Sequence, residues 1–298
     1  MEGNLGIPKK VIHQLYSLAV SLPWRPLRDP HTTIIATTVI VILNPAHQTA
    51  LNSRKRLIMG GHIQPQMELG YVELLLRGLN DCGKQSIIWD HRRWCLTYLY
   101  GQIGRTAPPY PAPEHHFSAD EAQLFPNMNW KDIRKEIGNV YHTCERYPRN
   151  YHAWTYFHWL INGTSASVYR HFSEGATRED YLRVVADAHS EMRTWVERHP
   201  SDYSAIHQLC ELQTIKHHLH AVGVLARDVG GAEELLSPAR HCLSLLASFP
   251  SYESLWMYLR VALRDEQRTD ILYRVETEFS SNQHAAKLLA WARRSDSD

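Results

Sequence analysis

Several kinds of site and segment are missing from this sequence. The five cysteines are scattered and include no CxxC pair, so neither a zinc ribbon nor a disulfide framework is indicated. No HExxH, GxSxG, GxGxxG or GxxxxGKS/T motif occurs, which leaves the chain without a recognisable catalytic or nucleotide-binding site of its own. The start of the sequence lacks a basic segment followed by an apolar one, and we therefore expect no signal peptide.

Long apolar runs and an excess of one charge are missing as well. The most apolar run covers residues 33–43, whereas a membrane-spanning helix needs about 20 apolar residues. Lysine and arginine total 32 and aspartate and glutamate total 31, so the charge balance does not favour a nucleic-acid partner. We expect a cytoplasmic protein with reduced cysteines, with no stable membrane insertion and no nucleic acid bound.

The sequence does contain a repeated phrase. Five segments align on a proline or, once, a glycine: Pro45, Gly83, Pro148, Pro200 and Pro250. Six residues later each has a large apolar side chain: Leu51, Trp89, Trp154, Ile206 and Trp256. The phrases occupy residues 44–58, 82–96, 147–161, 199–213 and 249–263. Their spacing is typical of helical hairpin repeats.

Each phrase predicts the junction of two helices. Proline ends one helix, and a polar residue that follows can cap the next helix, whose apolar residues recur at helical spacing. We therefore predict an all-α fold, a superhelical crescent of stacked helical hairpins similar to tetratricopeptide arrays. The chain is predicted to form a single helical-repeat domain over residues 1–298, with a proline-rich insertion at about 105–120.

Two of the phrases resemble the repeat of a known family. The third contains NYHAW at residues 150–154, and the second contains WDHRRW at residues 89–94. These segments resemble the repeat of the protein prenyltransferase α-subunit family, which includes the α subunits of farnesyltransferase and Rab geranylgeranyltransferase. The resemblance implies a crescent of helical hairpins wrapped around a β-type subunit. In that family the β subunit holds the catalytic zinc, so the resemblance implies no cofactor in this chain.

The resemblance also implies which residues approach the substrate. In the family, a lysine directly after the proline position of the second repeat lies near the isoprenoid diphosphate, and Lys84 occupies that position here. A tyrosine–histidine pair in the third repeat lies near the same diphosphate, and it corresponds to Tyr151 and His152. A tyrosine two residues after the lysine is replaced by Ser86, which weakens that contact.

These residue types suit the chemistry of prenyl transfer. A cysteine thiolate attacks C1 of the isoprenoid diphosphate, and negative charge builds on the departing diphosphate. The Lys84 ammonium can neutralise that charge, while Tyr151 and His152 can donate hydrogen bonds to the same oxygens. Zinc in the β-type partner would keep the substrate thiol deprotonated.

Each assignment has a structural alternative. Lys84 could be a solvated lysine at a helix start, and Tyr151 and His152 could pack between hairpins. The tryptophans of the phrases are expected to be structural, because they supply large buried areas. Arg92 and Arg93 are expected to bridge hairpins or to face the β subunit.

The sequence has two histidine clusters that raise the question of a metal site. One is His115-His116 in the insertion, and the other is His217-His218-x-His220 on a predicted helix. No cysteine or carboxylate stands at a regular ligand spacing from either cluster, so a metal site is not favoured.

The function predicted from the sequence is that of an α-type subunit in a heterodimeric protein prenyltransferase. Inactive alone, it would support the transfer of a farnesyl or geranylgeranyl group to a cysteine near the C-terminus of a protein substrate. The alternative is a non-catalytic helical-repeat scaffold that binds another protein. The fourth and fifth phrases favour the scaffold, because they have lost arginines of the family pattern. Recognition of RNA by helical repeats is a third option, which the neutral charge balance disfavours.

Overall fold

The described part of the chain is helical. The computed structural model describes residues 8–22, 24, 29–79, 81–101, 124–171, 173–221, 223, 237–264 and 268–295. These residues form helices and turns and contain no strand, which confirms the predicted all-α class. The chain divides into two compact units, one ending at Tyr156 and the other continuing from Phe157. The single domain over 1–298 stays a prediction, and the proline-rich insertion at about 105–120 lies outside the described residues.

The described helices are distributed over the two units. The first unit contains α1 (Lys9–Ser21), α2 (Pro30–Leu43), α3 (Gln48–Met59), α4 (Pro65–Gly78), a short 3₁₀ turn (Cys82–Lys84), α5 (Ser86–Tyr100) and α6 (Trp130–Arg146). Helix α7 (Tyr151–Arg170) begins in the first unit and ends in the second. The second unit continues with α8 (Gly175–Arg198), α9 (Tyr203–Ala221), α10 (Pro238–Ser248), α11 (Glu253–Ala262), α12 (Thr269–Glu278) and α13 (Gln283–Ser295).

Neighbouring helices pack as hairpins. In the first unit α1 packs on α2, α2 on α3, and α4 on α5. In the second unit the pairs are α8 with α9, α10 with α11, and α12 with α13. The five phrases lie at the turns of the pairs from α2–α3 to α10–α11, which confirms the hairpin organisation. The pair α12–α13 is a further hairpin that the phrase did not predict.

The most apolar run of the sequence forms α2 despite its β-branched residues. Asp29 caps the helix by accepting a hydrogen bond from the backbone N–H of Thr32 at 3.1 Å. The hydroxyls of Thr33 and Thr37 donate to carbonyls one turn earlier, so these buried polar atoms are satisfied within the helix. None of the helices in the described ranges has both the length and the apolarity needed to cross a membrane.

The helix that follows each proline is capped in three of the five phrases. His47, Asn150 and Asp202, each two residues after the proline, accept a hydrogen bond from a backbone N–H three residues later, at 3.1, 3.2 and 3.1 Å. Such caps satisfy backbone donors that have no partner inside the helix. The large apolar residues six positions after the proline or glycine expose at most 4% of their surface. The predicted structural role of these residues is confirmed.

A buried ion pair joins the first two repeats. The Arg54 guanidinium donates from Nε and Nη2 to the two Glu68 carboxylate oxygens at 2.8 and 2.6 Å. His91 Nε2 lies 2.8 Å from the same carboxylate. Burial by itself raises the pKa of Glu68, but the hydrogen bonds and positive charges of His91 and Arg54 outweigh burial and lower this pKa to about 2. The carboxylate is therefore held ionised by groups from α3 and α5.

A second buried ion pair has the same design. Arg92 on α5 donates from Nε and Nη2 to the two oxygens of Glu136 on α6, each at 2.6 Å. Its third nitrogen donates to the Leu69 carbonyl at 2.8 Å, and the Tyr156 hydroxyl donates to Glu136 at 2.8 Å. Arg92 therefore bridges hairpins, one of the two roles expected from the sequence. The bidentate geometry fixes the register of α5 against α6.

The carbonyl of Gly83 joins the second repeat to the third. Trp89 Nε1 donates to this oxygen at 2.9 Å from within the second repeat. Asn150 Nδ2 donates to it at 2.8 Å from the start of α7. A carbonyl oxygen has two lone pairs, so both are used here. The turn that carries Lys84 is thereby held beside the first residues of α7.

The same arrangement recurs at the fifth repeat. Trp256 Nε1 and Asn282 Nδ2 both donate to the carbonyl of Pro250, each at 2.8 Å. At the fourth repeat, Ser254 Oγ donates to the carbonyl of Pro200 at 2.6 Å. The backbone carbonyl at the proline position is therefore a recurrent point of attachment between successive repeats.

Gly83 replaces proline because its backbone lies against α6. A Cβ atom at this position would overlap the Cγ2 methyl of Thr143. It would also lie 3.5 Å from Asn150 Nδ2 and 3.8 Å from the Tyr147 ring. The close approach requires a residue without a side chain, and it brings the end of α6 next to the turn.

We predict that the Glu68 carboxylate makes the stability of the fold depend on acidity. Its pKa in the folded chain lies below the ordinary value of 4.5, so its contribution is fully present above about pH 5 and is lost as the pH falls toward 2. The two pKa values correspond to roughly 3 kcal/mol of unfolding free energy. Urea unfolding followed by circular dichroism at a series of pH values would measure this loss.

Glu68→Gln and the exposed control Glu278→Gln test the assignment. Glu68→Gln is expected to cost about 3–5 kcal/mol at neutral pH, because it leaves Arg54 buried without its carboxylate. It should also remove part of the acid dependence. Glu278 pairs with Arg274 at the surface, so Glu278→Gln is expected to cost about 1 kcal/mol or less. An unchanged acid dependence in Glu68→Gln would contradict the prediction.

We predict that Gly83→Ala destabilises the chain by about 1–3 kcal/mol, because the added methyl group meets Thr143. Thr143→Ser removes that methyl group of Thr143 and keeps a hydroxyl that can still donate to the Asn139 carbonyl. In the Gly83→Ala background, Thr143→Ser should therefore restore part of the lost stability. Denaturant unfolding of the two single variants and the double variant measures the coupling. Strictly additive losses would show that the two side chains do not meet.

Candidate functional site

Lys84 lies on an exposed turn at the opening of the second repeat. It is the last residue of the 3₁₀ turn Cys82–Lys84, and 55% of its side chain is exposed. Its Nζ lies 3.4 Å from Asp81 Oδ1 and 4.4 Å from the centroid of the Tyr147 ring. The aromatic ring of Tyr147 attracts the ammonium group and restricts its position without neutralising its charge.

Tyr151 and His152 are the first two residues of α7. Tyr151 is 67% exposed, so it does not pack between hairpins. The two rings meet edge to face, with centroids 5.7 Å apart. Neither the Tyr151 hydroxyl nor a His152 ring nitrogen has a hydrogen-bond partner within the ranges that the structure describes. Both side chains therefore retain polar atoms that can bind a ligand.

The two predicted positions are held close together by backbone geometry. Gly83, which precedes Lys84, accepts its hydrogen bond from Asn150, which precedes Tyr151. Asn150 is 6% exposed and also caps α7. The structure thus brings the turn of Lys84 to the N-terminus of the helix that starts with Tyr151 and His152, although it shows no direct side-chain contact between Lys84 and that pair.

The positive charge of Lys84 is partly balanced by a neighbouring carboxylate. That carboxylate belongs to Asp81, whose side chain is 79% exposed. Ion pairs between exposed groups are weak, on the order of 0–1 kcal/mol. The Lys84 ammonium can therefore leave Asp81 to bind another anion. A ligand with two or three negative charges would compete readily for Lys84. With the phenol and imidazole of the neighbouring helix, the turn is chemically suited to bind an oxyanion.

Tyr147 is a member of this site that sequence reasoning missed. It follows the last residue of α6, and its ring lies under the Lys84 ammonium. The residue stands one position before the proline of the third phrase, where the other phrases have Asn44, Cys82, His199 and Phe249. No pattern within the phrase marks it, and the glycine at position 83 is the available hint of a close approach.

The histidine clusters do not form a metal site within the described part of the chain. His217 Nε2 lies 2.7 Å from Gln213 Nε2, whereas His218 Nε2 lies 3.2 Å from the Tyr169 hydroxyl. These two neighbours therefore face different surroundings. Over the ranges that the structure covers, no group of three or more His, Cys, Asp or Glu side chains could hold a metal ion. His115 and His116 lie outside the described residues.

Comparison with known protein families finds a match for one segment of the chain. The family model described as "Protein prenyltransferase alpha subunit repeat" matches residues 133–164, which cover most of α6 and the first part of α7. The match includes Tyr151 and His152 and the Asn150 cap, and it therefore coincides with the third phrase.

Similar proteins are known from several vertebrates. Protein prenyltransferase alpha subunit repeat-containing protein 1 of Danio rerio is 24% identical over 262 residues, 78% of this chain and 54% of that protein. The Homo sapiens protein of the same name is 24% identical over 253 residues, 76% of this chain and 57% of that protein. Protein prenyltransferase alpha subunit repeat-containing protein 1-A of Xenopus laevis is 25% identical over 258 residues, 76% of this chain and 53% of that protein.

The chain spans about half the length of these curated relatives. The match to the repeat model and the similarity to these relatives agree with the residues that first indicated the family. The resemblance read from the sequence is therefore confirmed, and the chain carries the protein prenyltransferase α-subunit repeat.

Proposed function

We propose that this chain is an α-type subunit of a heterodimeric protein prenyltransferase. Paired with a β-type subunit in the cytoplasm, it supports the transfer of a farnesyl or geranylgeranyl group to a cysteine thiol of a protein substrate. The observation that supports this proposal is the turn of Lys84, held by the Gly83–Asn150 hydrogen bond beside Tyr151 and His152. The Lys84 cation therefore lies on a turn that is bonded to the start of the helix carrying Tyr151 and His152, two side chains that can form hydrogen bonds.

In the proposed reaction, this chain acts on the leaving group. The substrate thiolate forms a bond to C1 of the isoprenoid as the bond from C1 to the diphosphate oxygen breaks. The Lys84 ammonium stabilises the negative charge that grows on the departing diphosphate. The Tyr151 hydroxyl and the N–H group of the His152 ring donate hydrogen bonds to the same oxygens. Tyr147 keeps the ammonium over its ring until the diphosphate competes for it.

Zinc belongs to the partner in this proposal. The described ranges of the chain contain no group of side chains suited to a metal ion, so a zinc site in the chain has no residues to support it there. Zinc bound by the β-type subunit would supply a deprotonated thiol. This chain would contribute the positive charge that receives the leaving diphosphate.

A non-catalytic scaffold is the second candidate. Its support is an apolar strip on α4, where Met67 and Leu74 are 72% and 70% exposed. Exposed apolar side chains at helical spacing suit contact with another protein, whether or not catalysis follows. The scaffold and the catalytic subunit differ in what the complex does, and a transfer assay separates them.

We predict that the chain copurifies with a β-type prenyltransferase subunit. The complex is expected to transfer a labelled isoprenoid to a peptide that has a cysteine near its C-terminus. Co-expression with each candidate β subunit, followed by a transfer assay with farnesyl and geranylgeranyl diphosphate, would measure both steps. A complex without transfer would favour the scaffold. Failure to associate with any β subunit would contradict the proposed function.

Lys84→Ala tests the assigned role of the turn. We expect it to lower kcat about 10- to 100-fold while leaving copurification unchanged, because it removes charge stabilisation of the leaving group. The matched control is Lys287→Ala, which changes an exposed lysine on α13, in the other compact unit. Equal activity of Lys84→Ala and the control would remove Lys84 from the site.

A further inference from the structure

Arg170, the last residue of α7, is a charged side chain without a counter-charge. Its side chain is partly buried, and its Nε atom is fully buried without a hydrogen-bond partner. No carboxylate within the described ranges lies at ion-pairing distance from it. Burial lowers the pKa of Arg170 to about 10, and the neighbouring Tyr181 opposes this effect. Arginine nevertheless stays protonated in proteins, so an uncompensated positive charge remains here.

Tyr181 does not supply the missing negative charge. Burial raises the pKa of the Tyr181 phenol, while the positive charge of Arg170 lowers it and the charges of Glu174 and Asp180 raise it. With its pKa above the ordinary value of 10.0, the phenol is neutral near pH 7. Glu174 and Asp180 have other partners, since they bind His171 and Arg183.

His171 contributes a second buried nitrogen without a partner. Its ring stacks on the ring of Tyr181, with centroids 5.3 Å apart and an interplanar angle of 10°. Nδ1 lies 3.0 Å from Glu174 Oε2, while Nε2 is buried and has no hydrogen-bond partner. Consecutive residues at the end of α7 therefore each present a buried nitrogen that nothing in the described structure satisfies.

Two buried guanidiniums in the first unit are arranged differently. Arg54 is paired with Glu68, and Arg92 is paired with Glu136, each through two short hydrogen bonds. Leaving a buried charge unpaired is strongly unfavourable, and unsatisfied buried polar atoms in native structures require an explanation. A ligand that brings negative oxygens to Arg170 would remove this penalty.

We propose that the turn between α7 and α8 binds an oxyanion, a phosphoryl or carboxylate group, between the Arg170 guanidinium and the His171 imidazole. The planar guanidinium matches two oxygens of such a group. Glu174 requires a hydrogen on His171 Nδ1, so Nε2 becomes a donor to the anion when the imidazole is an imidazolium. Stacking on Tyr181 fixes the ring in place. Arg170 is only partly buried, so a solute can reach it.

Thermal unfolding and titration calorimetry of the full chain would test this site. The probes are inorganic phosphate, pyrophosphate and acetate, compared with chloride at the same ionic strength. We expect phosphate to raise the Tm of the wild-type chain, and Arg170→Met to weaken phosphate binding by about tenfold or more. Without phosphate, the Tm of Arg170→Met should equal or exceed that of wild type, because an unpaired buried charge is gone. Acetate separates a carboxylate site from a phosphoryl site.

Three further variants distinguish this site from others. Arg274→Met removes an exposed arginine that is paired with Glu278, and its phosphate response should equal that of wild type. Lys84→Ala tests for the other candidate anion site, since a response that is lost in this variant alone belongs to the turn of the second repeat. Arg170→Gln replaces Arg170→Met in the test if the latter does not fold, and its helicity is checked by circular dichroism. It should lose the response to phosphate.

The proposal is overturned by any of three results. The first would be a wild-type chain that does not respond to any of the three anions. The second would be a full wild-type response in both Arg170→Met and Arg170→Gln. The third would be a response that is lost in Lys84→Ala alone. In the last case, the anion binds at the turn of the second repeat. None of these measurements involves a β-type subunit, so their outcome is independent of the proposed transferase function.

Discussion

A backbone carbonyl shared between two repeats is the interaction on which the candidate site depends. The oxygen of Gly83 receives one N–H from its own repeat and one from Asn150 of the next repeat. This single atom sets the distance between two turns that are far apart in the chain. The packing of Gly83 on Thr143 and the contact of Lys84 with Tyr147 hold the same two turns together. The same pair of bonds recurs at Pro250.

The junctions between repeats change character along the chain. Nine residues after the aligned proline or glycine, the first two repeats have Arg54 and Arg92, whose guanidiniums are buried against carboxylates. The next three have Phe157, Leu209 and Leu259 at that position, and all three are buried. Replacing a buried ion pair with apolar packing is often neutral or stabilising. The missing arginines of the later repeats therefore need not weaken the fold. Both buried ion pairs lie in the first unit, which also contains the turn of Lys84.

Much of the fold could be predicted from the sequence, because the phrase is a local signal. Proline, a capping residue and an apolar side chain six positions later are sufficient to locate a helix junction. The last hairpin, α12–α13, was missed because Ser280 stands in the place of proline and Ala286 stands in the place of the large apolar residue. Its register depends on Asn282, whose bond to Pro250 is visible only in three dimensions.

The candidate site was partly predictable for the same reason. Lys84, Tyr151 and His152 occupy defined positions of the phrase, so the resemblance identified them. Tyr147 lies outside the defined positions, and its contact with Lys84 depends on where α6 ends. Arg170 belongs to no repeat pattern, because its unusual feature is the absence of a counter-charge within the described ranges. A sequence records which residues are present, but it does not record which of them are left without a counter-charge.

The packing of Gly83 against Thr143 has a consequence for how such chains can diverge. Most phrases keep proline at the aligned position, and proline carries the Cβ atom that this site excludes. A lineage that acquired the tight contact with α6 cannot return to proline in one step, because the neighbouring methyl group blocks it. The two positions must change together, or the helix must retreat first. Position 83 and the Thr143 methyl group therefore constrain each other, so that a side chain at one position requires a change at the other.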